Sequence, residues 1–225
     1  MMKYELITPK SHFDGVIFAD GDFPSHPIPM GILTHNRPLI ACDDAGAQLI
    51  SHLNIIPDAI VGDGDSLPQA FKERYKDIIH YVAEQDYNDL TKAVRFFQSH
   101  QQRDQTTGGA KLCFIGCTGK REDHTLGNIS LPIFYQREYG IQGTLATDYG
   151  WFVYCKGACE FESFKNQQVS IFNISCSQLT SEKLEWNAYA YEQWWQGTVN
   201  NALGNRFSLD GDGEYIVYRT YEAKV

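Results

Sequence analysis

No apolar run in this chain approaches the ~20 residues that a bilayer-spanning helix requires, and Met1 to Lys10 lack the apolar centre of a secretory signal. A cytoplasmic protein is therefore expected, away from any membrane. Positive charge is scarce as well: 225 residues carry a formal net charge of −9, which argues against the basic stripe a general nucleic-acid binder needs for phosphate contacts. Paired cysteine and histidine ligands are missing too. Cys155 and Cys159 have C-x3-C spacing, but no second Cys or His pair stands nearby to complete a zinc site, and none of the seven histidines forms H-x3-H or H-E-x2-H. Cys113 and Cys117 share one face of an expected strand and read as small buried hydrophobes.

What is present is an ordinary globular composition, 43% hydrophobic and 21% charged, in a chain long enough for one large domain or two modest ones. Up to residue 148 the pattern alternates. Strands are expected at 15–20, 38–43, 58–63, 78–82, 111–117 and 143–148, and helices at 45–53, 66–75, 88–103 and 123–139. Leu90, Ala93, Val94 and Phe97 recur at i, i+3, i+4, i+7, giving that helix one buried face. Asp86 or Asn88 is expected to cap its start and Asp123 to cap the last helix, which Pro132 should kink. This alternation implies an α/β layer with a mainly parallel sheet. Beyond residue 150 the runs 151–154, 159–164, 168–174, 206–209 and 214–221 are short, aromatic or β-branched, which predicts an antiparallel sandwich or barrel. The division falls at 148–151, and 101–109 reads as a surface loop.

Three loops at expected strand ends carry the chemistry: Gly62-Asp63-Gly64-Asp65-Ser66, Glu84-Gln85-Asp86-Tyr87-Asn88-Asp89, and Gly116-Cys117-Thr118-Gly119-Lys120-Arg121-Glu122-Asp123-His124. In an open parallel sheet the carboxyl ends of the strands line one ligand-binding edge. Carboxylates gathered there repel unless a cation sits among them, and Mg²⁺ carrying a polyphosphate is the simplest resident. Each loop alone has a plainer reading: a Gly-Asp turn, helix-dipole capping by Asp86 and Asp89, a helical ion pair between Asp89 and Lys92. The third loop is not a full P-loop, since Phe114 stands where Gly is required and Arg121 where Ser or Thr is required. A haloacid-dehalogenase-type D-x-D is weakened by Leu67 after Asp65 and by Pro24 after Asp22.

Taken together, the motifs resemble the thiamine pyrophosphokinase family along the whole chain. Cys42-Asp43-Asp44-Ala45-Gly46-Ala47 is similar to Cys-Ala-Asp-Gly-Gly-Ala, with Asp44 on the family acid and Asp43 extra. Gly62-Asp63-Gly64-Asp65-Ser66 matches G-D-x-D-S, and Gln85 to Lys92 matches Q-D-x-T-D-[LF]-x-K with Asn88 for Thr. Gly119 to His124 with Asn128 resembles G-G-R-x-D-H-x-x-x-N, with Lys120 for Gly. Leu184-Glu185-Trp186-Asn187 and Gly197-Thr198-Val199-Asn200-Asn201 resemble segments of its second half. The resemblance implies an α/β domain with a Rossmann-like sheet over 1–148, an all-β sandwich for thiamine and dimerisation over 149–225, a homodimer, and transfer of pyrophosphate from ATP to thiamine with Mg²⁺. It implies catalytic roles for Asp63, Asp65, Asp86, Asp89, Arg121 and Asp123, with Asp63, Asp65 and Asp86 on the metal. Asp44, Gln85, Lys92, Thr118, Gly119, Arg121, His124 and Asn128 would serve ATP; Trp186, Thr198, Asn200 and Asn201 would serve thiamine. The residues by themselves leave two rivals: a metal-dependent phosphohydrolase, and a non-catalytic thiamine or nucleotide sensor. Trp186 also reads as a sandwich-core side chain, and Trp194 and Trp195 read as structural.

Overall fold

The computed structural model describes residues 1–100 and 109–224, so nearly all of the expected 101–109 loop and the end of the helix expected over 88–103 lie outside the described residues. The chain forms two compact units: Thr8–Asp148, and Met1–Ile7 together with Tyr149–Val225. The chain opens with β1 (Met2–Tyr4), which belongs to the second unit. The first unit contains β2 (Gly15–Phe18), α1 (Pro27–His35), β3 (Leu39–Cys42), α2 (Ala45–Leu53), β4 (Ala59–Gly62), α3 (Gln69–Arg74), β5 (Ile79–Tyr81), α4 (Asp89–His100), β6 (Lys111–Ile115), α5 (Glu122–Tyr139) and β7 (Gln142–Ala146).

Strands β2, β3 and β4 are buried throughout. Continuous apolar runs of this kind suit a parallel sheet covered on both faces. The sheet order is β7-β6-β2-β3-β4-β5, parallel at every pairing. The chain runs outward from β2 through β3, β4 and β5, then returns to β6 on the other side of β2. The order therefore reverses between β2 and β6, and a crevice for ligands opens at their carboxyl ends. Helix α4 buries Leu90, Ala93, Val94 and Phe97 and packs against β2, β3 and β4. Helix α1 was not expected from sequence because Pro27 and Pro29 look like breakers. Both occupy the first turn, where the missing N–H costs nothing, and His26 Nδ1 caps that turn by accepting from Ile28 N at 3.2 Å. Helix α5 runs through Pro132 to Tyr139, with Arg121 rather than Asp123 at its N-cap.

The second unit adds β8 (Gly150–Lys156), β9 (Cys159–Glu162), β10 (Gln167–Asn173), β11 (Leu179–Glu182), a 3₁₀ turn (Trp194–Gly197), β12 (Asn200–Asn201), β13 (Arg206–Gly211) and β14 (Glu214–Ala223). These strands and β1 make a sandwich of orders β1-β9-β13-β11 and β12-β10-β14-β8, antiparallel except for β1 with β9. Trp151, Phe161, Val169, Ile171, Phe207 and Val217 are buried in its core. Arg219 is buried among them, its guanidinium 4.6 Å from the Trp151 ring centroid and 5.4 Å from that of Phe161. It donates to the carbonyls of Glu162 at 2.7 Å, Glu5 at 3.1 Å and Tyr4 at 3.4 Å. Those bonds explain why residues 1–7, expected with the first domain, join the second: a buried cation needs acceptors, and the N-terminal segment supplies two of them, Tyr4 O and Glu5 O. Among the described residues, no helix is long and apolar enough to cross a membrane.

Candidate active site

A cavity of about 510 Å³ lies at the carboxyl edge of the parallel sheet. Its wall is built by the turns after β2, β3, β4 and β6 and by the first turns of α4 and α5. Asp20, Asp43, Asp44 and Asp89 face it with Lys120, Arg121, His124 and Asn128. Negative and positive side chains thus share one crevice, at the place where strand order reverses.

The acidic side begins at Asp43, directly after β3. Its backbone is left-handed, φ 41, and its amide donates to Val61 O at 3.1 Å. Ser66 Oγ donates to Asp43 Oδ2 at 2.8 Å, whereas Oδ1 is buried without a partner. Gly62 makes room for this carboxylate, because a Cβ there would lie 2.9 Å from Asp43 Cβ. Asp63 accepts from Gln85 Nε2 at 3.1 Å and from Asp65 N at 3.2 Å, and these bonds hold its pKa below the usual value. Burial pushes Asp43 upward, and the charges of Asp89, Asp63 and Asp65 add to that despite the Ser66 bond. One oxygen from each of Asp43, Asp63 and Asp65 lies within 4.8 Å of the others. Three hard oxygen donors at that spacing, one with an orphaned buried oxygen, fit a Mg²⁺-sized cation. Among the described residues this is the carboxylate group that fits; exposed Asp86, expected as the third ligand, is not in it.

At the start of α4, Asn88 is the cap: its Oδ1 accepts from Thr91 N at 3.0 Å and from Thr91 Oγ1 at 2.7 Å. Asn therefore serves where the resembling motif has Thr. Asp89 lines the cavity and pairs with the buried Lys92 at 3.0 Å.

The cationic side is the loop after β6. Gly21 N donates to Gly116 O at 2.6 Å, Asp22 N to Thr118 O at 2.8 Å, and Asn128 Nδ2 to Cys117 O at 2.9 Å, which ties the loop to its neighbours. Gly119 has φ 80, and a Cβ there would collide with the Asp22 carboxylate. Arg121 makes a two-pronged contact with Asp123, Nη2 to Oδ2 at 2.6 Å and Nε to Oδ1 at 3.1 Å. The guanidinium lowers Asp123 to about 2. Asp123 thus holds the fork of Arg121 rather than capping the helix. Thr118, Gln85, Lys92 and Asp123 lie outside the lining, and Asp44, Gly119, Arg121, His124 and Asn128 lie on it.

In the second unit Trp186 is 54% exposed, which rules out a core role. Asn200 holds its backbone from both ends: Asn200 Oδ1 accepts from Trp186 N at 3.2 Å, and Nδ2 donates to Trp186 O at 2.7 Å. Asn201 Nδ2 donates to Glu185 Oε2 at 2.7 Å, and Thr198 Oγ1 to Trp195 O at 2.7 Å. The amide of Asn200, expected on a ligand, is engaged by the Trp186 backbone on both sides. Trp194 and Trp195, read as structural from sequence, are 46% and 72% exposed.

Sequence reasoning missed Asp20 and Lys120 as cavity residues and Asp43 as a partner of Asp63 and Asp65. Asp20 follows β2 as Asp43 follows β3, and that shared strand-end position was the available signal.

A parallel sheet with an acidic and cationic crevice at its switch point places the chain among α/β proteins that bind a charged ligand at the carboxyl edge of the sheet. Family models match most of the chain: the thiamin pyrophosphokinase catalytic domain over residues 31–142 and the thiamin pyrophosphokinase substrate-binding domain over residues 150–218. The chain belongs to the thiamin pyrophosphokinase family and carries its activity, transfer of pyrophosphate from ATP to thiamine. Among solved structures it is similar to thiamin pyrophosphokinase from Candida albicans, with a TM-score of 0.80 and 16% identity over 98% of this chain and 93% of that one. The yeast enzyme gives 0.74 and 16% over 97% and 90%, and the Bacillus subtilis enzyme 0.72 and 20% over 92% and 99%. At such identities these structures speak for the fold. No curated protein sequence matches the chain.

Proposed function

We propose that the crevice of the first unit carries the pyrophosphoryl transfer, with Asp43, Asp63 and Asp65 holding Mg²⁺ and Arg121 holding phosphate. The observation that carries this reading is the grouping of those three carboxylates, with Asp43 on the wall of a cavity whose opposite side carries Lys120 and Arg121. Mg²⁺ bound there supplies charge neutralisation for the polyphosphate. The protein's own part is positional. The Arg121 fork leaves Asp123 for phosphate oxygens and stabilises charge that develops on the leaving or transferring group. Asp89, which lines the cavity where Asp65 does not, accepts or orients the proton of the thiamine hydroxyl. Asp44, His124 and Asn128 complete the nucleotide side. Trp186 offers its exposed face to the cationic thiazolium or the pyrimidine, with Asn200 as its positioning residue. The protein works in the cytoplasm as a homodimer, on ATP and thiamine, without nucleic acid or membrane.

Asp43→Asn tests the metal set. Removing a buried charge that faces two like charges should raise the Tm of the metal-free protein, and should shrink the Tm increase that Mg²⁺ produces. Turnover at limiting Mg²⁺ should fall roughly tenfold and recover as Mg²⁺ rises. An undiminished Mg²⁺-dependent Tm increase would remove Asp43 from the set.

For thiamine, Trp186→Ala should raise KM by roughly tenfold, the equivalent of ~1–2 kcal/mol of stacking on a cation, and leave Mg–ATP binding nearly intact. In the dimer, Trp186 of the partner subunit would serve each set of carboxylates. Mixing Trp186→Ala with Asp65→Asn protein should then restore activity once subunits exchange. No recovery despite exchange demonstrated with tagged subunits would contradict the shared site.

A further inference from the structure

The loop after β6 keeps one side chain in a conformation that L residues disfavour. Lys120 has φ 56, next to Gly119 at φ 80. The turn is fixed by Arg121 N donating to Gly119 O at 2.7 Å, so Lys120 does not relax. A disfavoured backbone retained on a cavity wall points to a use for the side chain it carries. That side chain ends 2.9 Å from Asp20 Oδ1, and both residues face the cavity. Gln48 Nε2 donates to the same Asp20 oxygen. Asp20 therefore keeps a donor if the ammonium leaves. Arg121, the other permanent cation on the wall among the described residues, is paired in the same way, with Asp123.

We infer that Lys120 is a polyphosphate-binding residue, parked on Asp20 in the nucleotide-free enzyme and transferred to the phosphate chain of a bound nucleotide, with Gln48 then holding Asp20. A flexible ammonium suits this transfer, because it grips as a point charge and needs no fixed geometry. The inference rests on the cavity being the nucleotide site.

Calorimetric binding of ATP, ADP and AMP with Mg²⁺ to the full-length protein tests both levels separately. Wild type that binds no ATP contradicts the cavity reading and the inference with it. Given wild-type binding, Lys120→Met, which keeps the length and loses the charge, should weaken ATP by about tenfold, and Lys120→Arg should hold within a few-fold. Lys120→Gly should also lose about tenfold, while its nucleotide-free Tm is no lower than that of wild type. The member of the series at which the loss first appears identifies the phosphate that is gripped. Asp20→Asn, which releases the ammonium, should bind ATP as well as wild type or better. Lys120→Met binding like wild type would reduce Lys120 to a surface ion pair. A loss confined to Lys120→Gly would assign the effect to the backbone, and a loss in Asp20→Asn would contradict the parking arrangement.

Discussion

Asp63→Asn and Asp65→Asn should each lose at least about two orders of magnitude in turnover while the protein stays folded. Both carboxylates belong to the group of three whose oxygens lie within 4.8 Å of one another. A neutral amide in either place removes charge that offsets the polyphosphate when bond order is changing. The fold should survive because little of it depends on those charges. Asp63 accepts from Gln85 Nε2 and Asp65 N, bonds that an amide oxygen can still accept in part, and Asp65 is exposed. Unchanged circular dichroism and Tm with turnover below about one percent of wild type is the expected pair of readings. Near-normal turnover in both variants at saturating Mg²⁺ would contradict the assignment.

Arg121→Lys should be nearly as damaging, although it conserves charge. The guanidinium reaches Asp123 through two nitrogens at once, and that two-pronged geometry is what phosphate oxygens also accept. A lysine supplies a single point of attraction and cannot reproduce it. The expected signature is a fall in kcat of roughly 10²-fold with thiamine KM little changed. If thiamine affinity alone falls, Arg121 belongs to the other substrate.

The parallel half of the fold was legible because its central strands β2, β3 and β4 are buried throughout and read as apolar runs leading to Asp or Cys. Helix α2 was expected over the same residues it occupies, and the other shared elements differ mostly at their ends. Helix α1 was hidden by prolines that are harmless only in a first turn, and β1 by being three residues whose partners lie beyond residue 158. The site was legible to the extent that local motifs carry it. Asp63, Asp65, Asp89 and Arg121 stand in recognisable runs. Asp43 looked surplus beside Asp44, since its place depends on β3 lying next to β4 and on the space that Gly62 leaves. Asp86 was placed on the metal by the family resemblance alone, and it is exposed and outside the group formed by Asp43, Asp63 and Asp65. For Trp186, pattern alone could not separate a core tryptophan from a displayed one; its exposure and the grip of Asn200 on its backbone do.

The most direct test of the central claim is product release by the full-length protein with ATP, Mg²⁺ and a panel of alcohols that includes thiamine. AMP should appear in equal amount with thiamine diphosphate, only when thiamine is present, and the label of β-³²P-ATP should move to the thiamine product. Free phosphate or ADP formed without thiamine, or AMP formed equally with every alcohol, would contradict a pyrophosphoryl transfer built on this crevice.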